Sequence, residues 1–489
     1  MLEKLAKQTA IYGISTIVGR FLSYLLTPYY TRVFGQAEYG IITDIYALIP
    51  FALVVLTMGM ESGYFRFAAK ADAAGGDVQA AKKRLFSTVW GITSLAAFVF
   101  FVAVVLLREK IAVAMGEAYV AHPEYVVIVG AIVMFDVATC IPFSRLREQG
   151  RAGRFVMLKM LNIVLQTGLA FAFGAMGLFA TEFGVGWAFV ANLAASVITF
   201  ASILPTTNRT VPKVDWLLLA TIFSYSLPLL VSGVAGTANE FIDRQMIKYL
   251  VPENAMAQLG IYGAITKIAV VMMLFTQMYR LAAEPFFLAN YRKDDFKAMN
   301  AAALKYYMIA SMLIFLGIAL FKDLFALIVG RDFRQGIFIL PVVLGANVLS
   351  GVWLNLSFWY KREERTWLAI AVTFVGLIFT VLCNIVLVPK YGYYGAAWAR
   401  FASEAAMVGV SYWLNRRYYP TPYPMGRIAE YVAVALAAYA ASVVVERTEV
   451  GVALQYIVNL VIVAGYALYV VRREKIDVKA MLRAMLRRG

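Results

Sequence analysis

Residues 85–107 read LFSTVWGITSLAAFVFFVAVVLL, with Lys82-Lys83-Arg84 before them and Arg108-Glu109-Lys110 after them. The stretch carries no charge. At 1.5 Å per residue it forms a helix about 34 Å long, enough to cross a hydrocarbon core of about 30 Å. The flanking charges fall where headgroups and water begin. This segment predicts a membrane-spanning helix, and the chain repeats the pattern. Such segments lie at 8–33, 38–64, 85–107, 123–145, 155–178, 184–205, 216–242, 257–288, 300–321, 335–359, 367–387, 394–415, 428–446 and 453–471. The expected fold is therefore an all-α polytopic membrane protein of about 14 transmembrane helices. The N-terminal run shows no small-residue cleavage site and reads as the first span.

Composition agrees. Of 489 residues, 62% are hydrophobic and 15% charged, whereas a soluble domain is about 45–50% apolar and about 25% charged. The loops between spans are short, so the chemistry is expected inside the membrane. Lys and Arg number 45 against 29 Asp and Glu, a formal net charge of +16. The basic residues concentrate in alternate loops: Arg66 to Arg84, Arg145 to Arg154, Arg209 and Lys213, Arg292 to Lys297, Lys361 to Arg365, and Arg416 to Arg427. That side, with both termini, holds about 29 basic residues against about 10 opposite, which places both termini in the cytoplasm. Topology accounts for the charge, and no nucleic-acid partner is expected. The tail at 475–488, KIDVKAMLRAMLRR, sets Val478, Met481, Leu482, Met485 and Leu486 on one face. It reads as a basic amphipathic helix on anionic membrane lipids.

Several chemistries are disfavoured. The single histidine, His122, gives no basis for a His-centred metal site or triad. Cys140 and Cys383 sit in apolar runs and imply no disulfide framework. Gly-Lys never occurs, so there is no Walker A loop, and HExxH, GxSxG and DxD are absent. The chain reads as a non-enzyme with no cofactor and no metal.

Internal repetition is visible. Tyr39-Gly40-Ile41 and Leu259-Gly260-Ile261 open the second and eighth segments, 220 residues apart; Thr31-Arg32 and Asp243-Arg244 close the first and seventh; Gly186 and Gly395 enter the sixth and twelfth. Six spans separate each pair, so the repeats share orientation and relate by a pseudo-two-fold axis along the membrane normal. The expected organisation is a six-helix lobe at 1–207, a second at 208–417, two added helices at 418–471 and the tail at 472–489. Two such lobes without an ATP site suggest alternating-access transport.

Two stretches carry a family resemblance: Val18-Gly19-Arg20-Phe21 with Leu26-Thr27-Pro28-Tyr29-Tyr30-Thr31-Arg32 and Glu38-Tyr39-Gly40, and Val388-Pro389-Lys390-Tyr391-Gly392-Tyr393-Tyr394-Gly395-Ala396-Ala397-Trp398-Ala399-Arg400. The chain resembles, over nearly its whole length, the O-antigen type polysaccharide flippases of the multidrug/oligosaccharidyl-lipid/polysaccharide exporter superfamily. The resemblance implies two six-helix bundles in a V around a hydrophilic cavity. It also implies an undecaprenyl-pyrophosphate-linked oligosaccharide as substrate, moved from the cytoplasmic to the outer leaflet of the inner membrane in polysaccharide or lipopolysaccharide biosynthesis. Other polysaccharide assembly proteins are implied as partners.

Charges at membrane depth mark the candidate site, since each costs about 2.5–3.5 kcal/mol at a helix centre. Arg20 and Asp136 fall near the midplane; Lys267, Arg400, Glu404 and Asp44 lie within the spans. Arg20, Lys267 and Arg400 are expected to hold pyrophosphate, and Asp44, Asp136 and Glu404 to balance them, bind sugar hydroxyls or couple to a proton or sodium ion. Structural ion pairing between helices is the alternative role for each. Glu61, Arg66, Arg280 and Glu284 are weaker candidates for an inner gate or docking site, and Glu240, Asp243 and Arg244 for an outer gate. Lys159 and Lys305 read as snorkelling. The competing functions are a cation-coupled multidrug exporter, a peptidoglycan-precursor flippase, and a membrane glycan polymerase or acyltransferase.

Overall fold

The structure, a computed structural model, describes residues 24–207, 210–290, 293–365, 367–448 and 451–475, apart from the side chains of Glu240, Leu288 and Ala289. The described residues form helices and connecting turns, with no strand among them. The amphipathic tail lies outside them from residue 476 onward. The chain divides into two compact units, Met1–Gly263 and Ala264–Gly489.

The first unit holds α1 (Leu26–Val33), α2 (Gln36–Thr57), α3 (Met60–Ala74), α4 (Val78–Met115), α5 (Glu117–Val120), α6 (Glu124–Glu148), α7 (Ala152–Ala175), α8 (Gly186–Ile203), α9 (Trp216–Leu250) and the first turns of α10 (Ala255–Ile268). Polar side chains cap the starts of some of these helices. The Glu38 carboxylate accepts the Gly35 N–H at 2.8 Å to start α2, and Asp77 accepts from the Ala80 N–H at 3.0 Å to start α4. Helix α6 is central and packs on α2, α3, α4, α7 and α8. The Trp90 indole of α4 donates to the Ala138 carbonyl of α6 at 2.9 Å. Phe98, Val99 and Leu106 of α4 are exposed at 56%, 57% and 77%, a surface that only lipid covers well.

The predicted span 38–64 falls within one candidate span, Gln36–Ala74, which carries a local break between α2 and α3. Met58 and Gly59 both take left-handed conformations, with φ of 51° and 66°. A Cβ on Gly59 would stand 2.7 Å from the Ser226 carbonyl oxygen of α9, so the turn and the approach of α9 both require glycine. One turn on, a Cβ at Gly63 would meet Ser226 Oγ at 2.6 Å and Ile222 Cγ2 at 2.7 Å. Helix α9 itself runs eight residues past the predicted end at 242, to Leu250.

The second unit contains α11 (Val270–Asn290), α12 (Phe296–Ala319), α13 (Lys322–Ala326), α14 (Leu340–Leu356), α15 (Phe358–Arg362), α16 (Trp367–Tyr418), α17 (Met425–Glu446) and α18 (Val452–Arg473). Helix α14 packs on α11, α12 and α16, and α12 on α17 and α18. Phe287, Phe296, Phe358, Trp359, Leu368 and Met407 form its main core. The predicted span 257–288 is a bent pair, α10 and α11, meeting at 49°. The Asn347 amide donates to the Ala269 carbonyl at this break, at 3.3 Å. Two other predicted spans, 367–387 and 394–415, join in α16 across Gly392, whose φ of 56° and ψ of −135° suit glycine alone.

Eleven helices among the described residues are long and apolar enough to cross a membrane, or twelve with the bent pair counted as one span. Dividing α16 at Gly392 gives thirteen. The remaining predicted span, 8–33, is described only from residue 24. The all-α polytopic fold expected from the sequence is the fold found.

Lys305, which the sequence reads as snorkelling, has a partner at the end of α18. Its ammonium pairs with Glu474, just past α18, with the two side chains 12% and 4% exposed. The Tyr431 hydroxyl also donates to Glu474, at 2.5 Å. Burial pushes this carboxyl up, but the bonds from Lys305 and Tyr431, with the charges of Lys305 and Arg427, hold it below its ordinary 4.5.

Three outcomes follow. Gly63→Val should destabilise the detergent-purified protein by about 1–3 kcal/mol. Gly168→Val, where a Cβ meets nothing within 4 Å, should leave thermal unfolding unchanged. The depressed Glu474 carboxyl contributes stability above its ordinary value, and that stability is lost as pH falls through the lower folded value. Glu474→Gln should therefore flatten the melting temperature's decline between about pH 5 and about pH 3.

Candidate functional site

The first unit buries a carboxylate near the start of α2. Asp44 lies eight residues into α2, about 12 Å along it, and is 1% exposed. Its Oδ2 accepts from Lys248 Nζ at 2.5 Å and the Tyr119 hydroxyl at 2.6 Å, and its Oδ1 accepts from Gln245 Nε2 at 2.6 Å. Lys248 is 5% exposed in its side chain and stands 4.7 Å from the centroid of the Tyr119 ring. Each donor has a local cause. Gln245 and Lys248 are i, i+3 on the last turns of α9 and share a face. Tyr119 sits on the single turn α5, which follows α4 because Gly116, with φ +105°, ends that helix. Burial and the Asp44 carboxylate both push the Tyr119 hydroxyl well above its ordinary pKa, so it is a donor at any working pH. Lys248, Gln245 and Tyr119 carry no sequence motif. The sequence reading leaves 245–257 as loop, and only the continued helical phase of α9 could have signalled the first two.

Beside this cluster α2 meets α10 at backbone distance. A Cβ on Gly40 would fall on the carbonyl of Met256, and one on Gly260 on the carbonyl of Gln36. The contact is reciprocal: 36 and 256, like 40 and 260, differ by the 220 residues that separate the two sequence repeats. A local two-fold axis passes between these helix starts, as in an isologous contact. One turn deeper, Gly263 faces the side chain of Thr43.

The other candidates in this unit are distributed. Asp136 of α6 is half-buried and accepts from the Ser196 hydroxyl of α8 at 2.8 Å. Nearby helices carry further polar pairs: Asn162 with Thr199 at 3.1 Å and Gln166 with Tyr46 at 3.2 Å. Glu61 pairs with Arg147 at 2.6 Å, each side chain about 40% exposed (41% and 42%), a contact of small energetic weight. Arg66 is exposed and lies 4.0 Å from the ring centroid of Tyr225. Asp243 is 2% exposed and Arg244 half-buried. Glu240 lies on α9, its side chain outside the described set. Lys159 is exposed, 4.2 Å from the Phe143 ring centroid.

In the second unit Lys267 is exposed on α10, and Arg400 and Glu404 are half-buried one turn apart on α16. Ser403 beside them accepts from Thr380 and donates to the Gly376 carbonyl, both at 2.8 Å, which ties together the two arms of α16. Arg280 is exposed, and Glu284 pairs with Lys361. That pair borders a cavity of about 240 Å³ lined also by Phe287, Phe296, Phe358 and Arg362. Arg20 lies outside the described residues. No group of three His, Cys, Asp or Glu side chains able to hold a metal occurs among the described residues.

The Asp44–Lys248 pair should be non-additive. Asp44→Asn and Lys248→Met each remove half of it, so the double variant should lose less stability than the two losses added, with a coupling of about 0.5–3 kcal/mol. Additive losses in detergent unfolding would show that the two side chains act independently.

The fold has known relatives. A solved structure described as "Lipid II flippase MurJ, inward closed conformation" superposes with a TM-score of 0.77 at 13% identity, covering 96% of this chain and 100% of that one. An inward-facing multidrug resistance MATE family transporter of the MOP superfamily gives 0.67 at 15% identity, over 82% and 94%. In sequence, the "Probable low-salt glycan biosynthesis flippase Agl15" of Haloferax volcanii is 20% identical over 406 residues, 82% of this chain and 81% of that protein. The profile of the family described as polysaccharide biosynthesis protein matches residues 5–288, more than half of the chain. The chain belongs to the polysaccharide biosynthesis protein family.

Proposed function

We propose that this chain is a flippase that moves a lipid-linked oligosaccharide across the inner membrane, headgroup through the protein and lipid tail in the bilayer. Two facts support the reading together. The sequence relative that spans four-fifths of both chains is named as a glycan biosynthesis flippase, and this chain keeps charged side chains of both signs within its apolar spans. The physical task is plain. A sugar headgroup carries many hydroxyls, and burying each unpaired one costs about 2–7 kcal/mol. A polar path that replaces water's hydrogen bonds removes that barrier.

In this reading the lobes of the sequence repeat rock about the headgroup, opening first to the cytoplasm and then outward. Arg20, Lys267 and Arg400 hold the pyrophosphate of an undecaprenyl carrier, since guanidinium forks and an ammonium both suit phosphate. Asp136 and Glu404 face the same task from the acidic side, toward sugar hydroxyls or a coupling proton or sodium ion. In this reading both termini lie in the cytoplasm, which the loop charges support. Other assembly proteins would supply the loaded lipid and consume the flipped one.

The test is transport in proteoliposomes of a fluorescent undecaprenyl-pyrophosphate oligosaccharide, with and without an imposed proton or sodium gradient. Arg20→Gln and Arg400→Gln should each cut the rate tenfold or more (about 1.4 kcal/mol of lost headgroup binding per tenfold), with the protein still folded in the membrane. Gradient-driven export of organic cations with no movement of the lipid would overturn the proposal in favour of a drug exporter.

A further inference from the structure

We infer that the Asp44 cluster is a latch that holds the outer end of the molecule shut, and that Lys248 and Gln245 are its keepers. The inference rests on the flippase reading for its purpose but not for its test. Asp44 and Tyr119 come from the first sequence lobe, 1–207, whereas Lys248 and Gln245 come from the second, 208–417. The bonds at 2.5 Å and 2.6 Å from α9 therefore cross the seam of the repeat, and the Tyr119 bond does not.

The chemistry of the seam suits opening. Around Gly40 and Gly260, α2 and α10 touch through backbone. A charged pair loses its partner on opening but gains water, and Asp44 keeps the Tyr119 hydroxyl, which moves with it. An apolar seam would have to expose its surface instead. Closed, the carboxylate has two donors on Oδ2 and one on Oδ1, and the ammonium rests against an aromatic ring. The pair is buried on both sides, so removing one partner leaves an uncompensated charge that water must reach. Asp44 is then a group that permits release of the headgroup, distinct from the cations proposed to hold it.

The test reads accessibility. In a Cys140→Ala, Cys383→Ala background, Thr43→Cys places a thiol between α2 and α10 with little change in size. Its rate of reaction with a charged maleimide is measured in nanodiscs. Lys248→Met and Asp44→Asn should each raise that rate about tenfold or more, and the exchange Asp44→Lys with Lys248→Asp should return it toward the parent value. A second reporter, Ile132→Cys, at a position 0% exposed, should stay slow throughout. Equal rates at Thr43→Cys in parent and variants overturn the latch. So does a parallel rise at Ile132→Cys, which would make the pair a general structural brace. If Asp44→Asn fails to fold, Lys248→Met and Gln245→Leu decide the matter alone. No substrate enters the assay, so its outcome is separate from whether the lipid is moved.

Discussion

Charge inside hydrocarbon is the constraint on which this structure turns. A carboxylate or ammonium at bilayer depth needs a counter-charge, a set of donors or a path for water. The chain meets that demand differently along its length. Asp44 receives three donors, one of them a buried lysine. Asp136 takes a serine hydroxyl and stays half-open. Lys305 reaches Glu474 past the end of the last helix. The saturated groups sit where helices meet, which suits holding. Asp136, Arg400 and Glu404 are less enclosed, each half-buried along its helix.

Glycine sets where the helices can meet. Gly40 and Gly260 bring the starts of α2 and α10 into reciprocal backbone contact, and Gly59 and Gly63 let the start of α3 lie close against Ser226 and Ile222 of α9. Small residues at helix contacts are the membrane solution to close packing, because lipid gives apolar side chains no reason to prefer one another. These approaches are what set Asp44 within reach of the end of α9.

Much of the fold was legible because hydrocarbon thickness imposes a length on each apolar run. The spans from 85–107 to 453–471 recur in the structure close to their predicted positions. The breaks were less legible. Met58 takes a left-handed conformation without a glycine's freedom, and Ala269 lies in the apolar run 268–275 with no Gly or Pro to mark a bend; both breaks lie against distant segments. The Gly40 and Gly260 pair was visible as a repeat, but not as a contact. Lys248 was hidden for a related reason. It lies 204 residues from Asp44, on helical turns that read as loop because their polarity lowers the hydropathy. A sequence shows where charge enters the membrane more readily than it shows which partner satisfies it.

The central claim is that the outer end parts when a headgroup crosses. Spin labels at Val120, 52% exposed beside the latch, and at the exposed Glu253 past the end of α9 report that separation directly by double electron–electron resonance in nanodiscs. One short distance is expected for the protein alone, with a second, longer population when lipid-linked oligosaccharide is present. A single unchanged distance, under conditions where the same protein moves the lipid, would contradict the account.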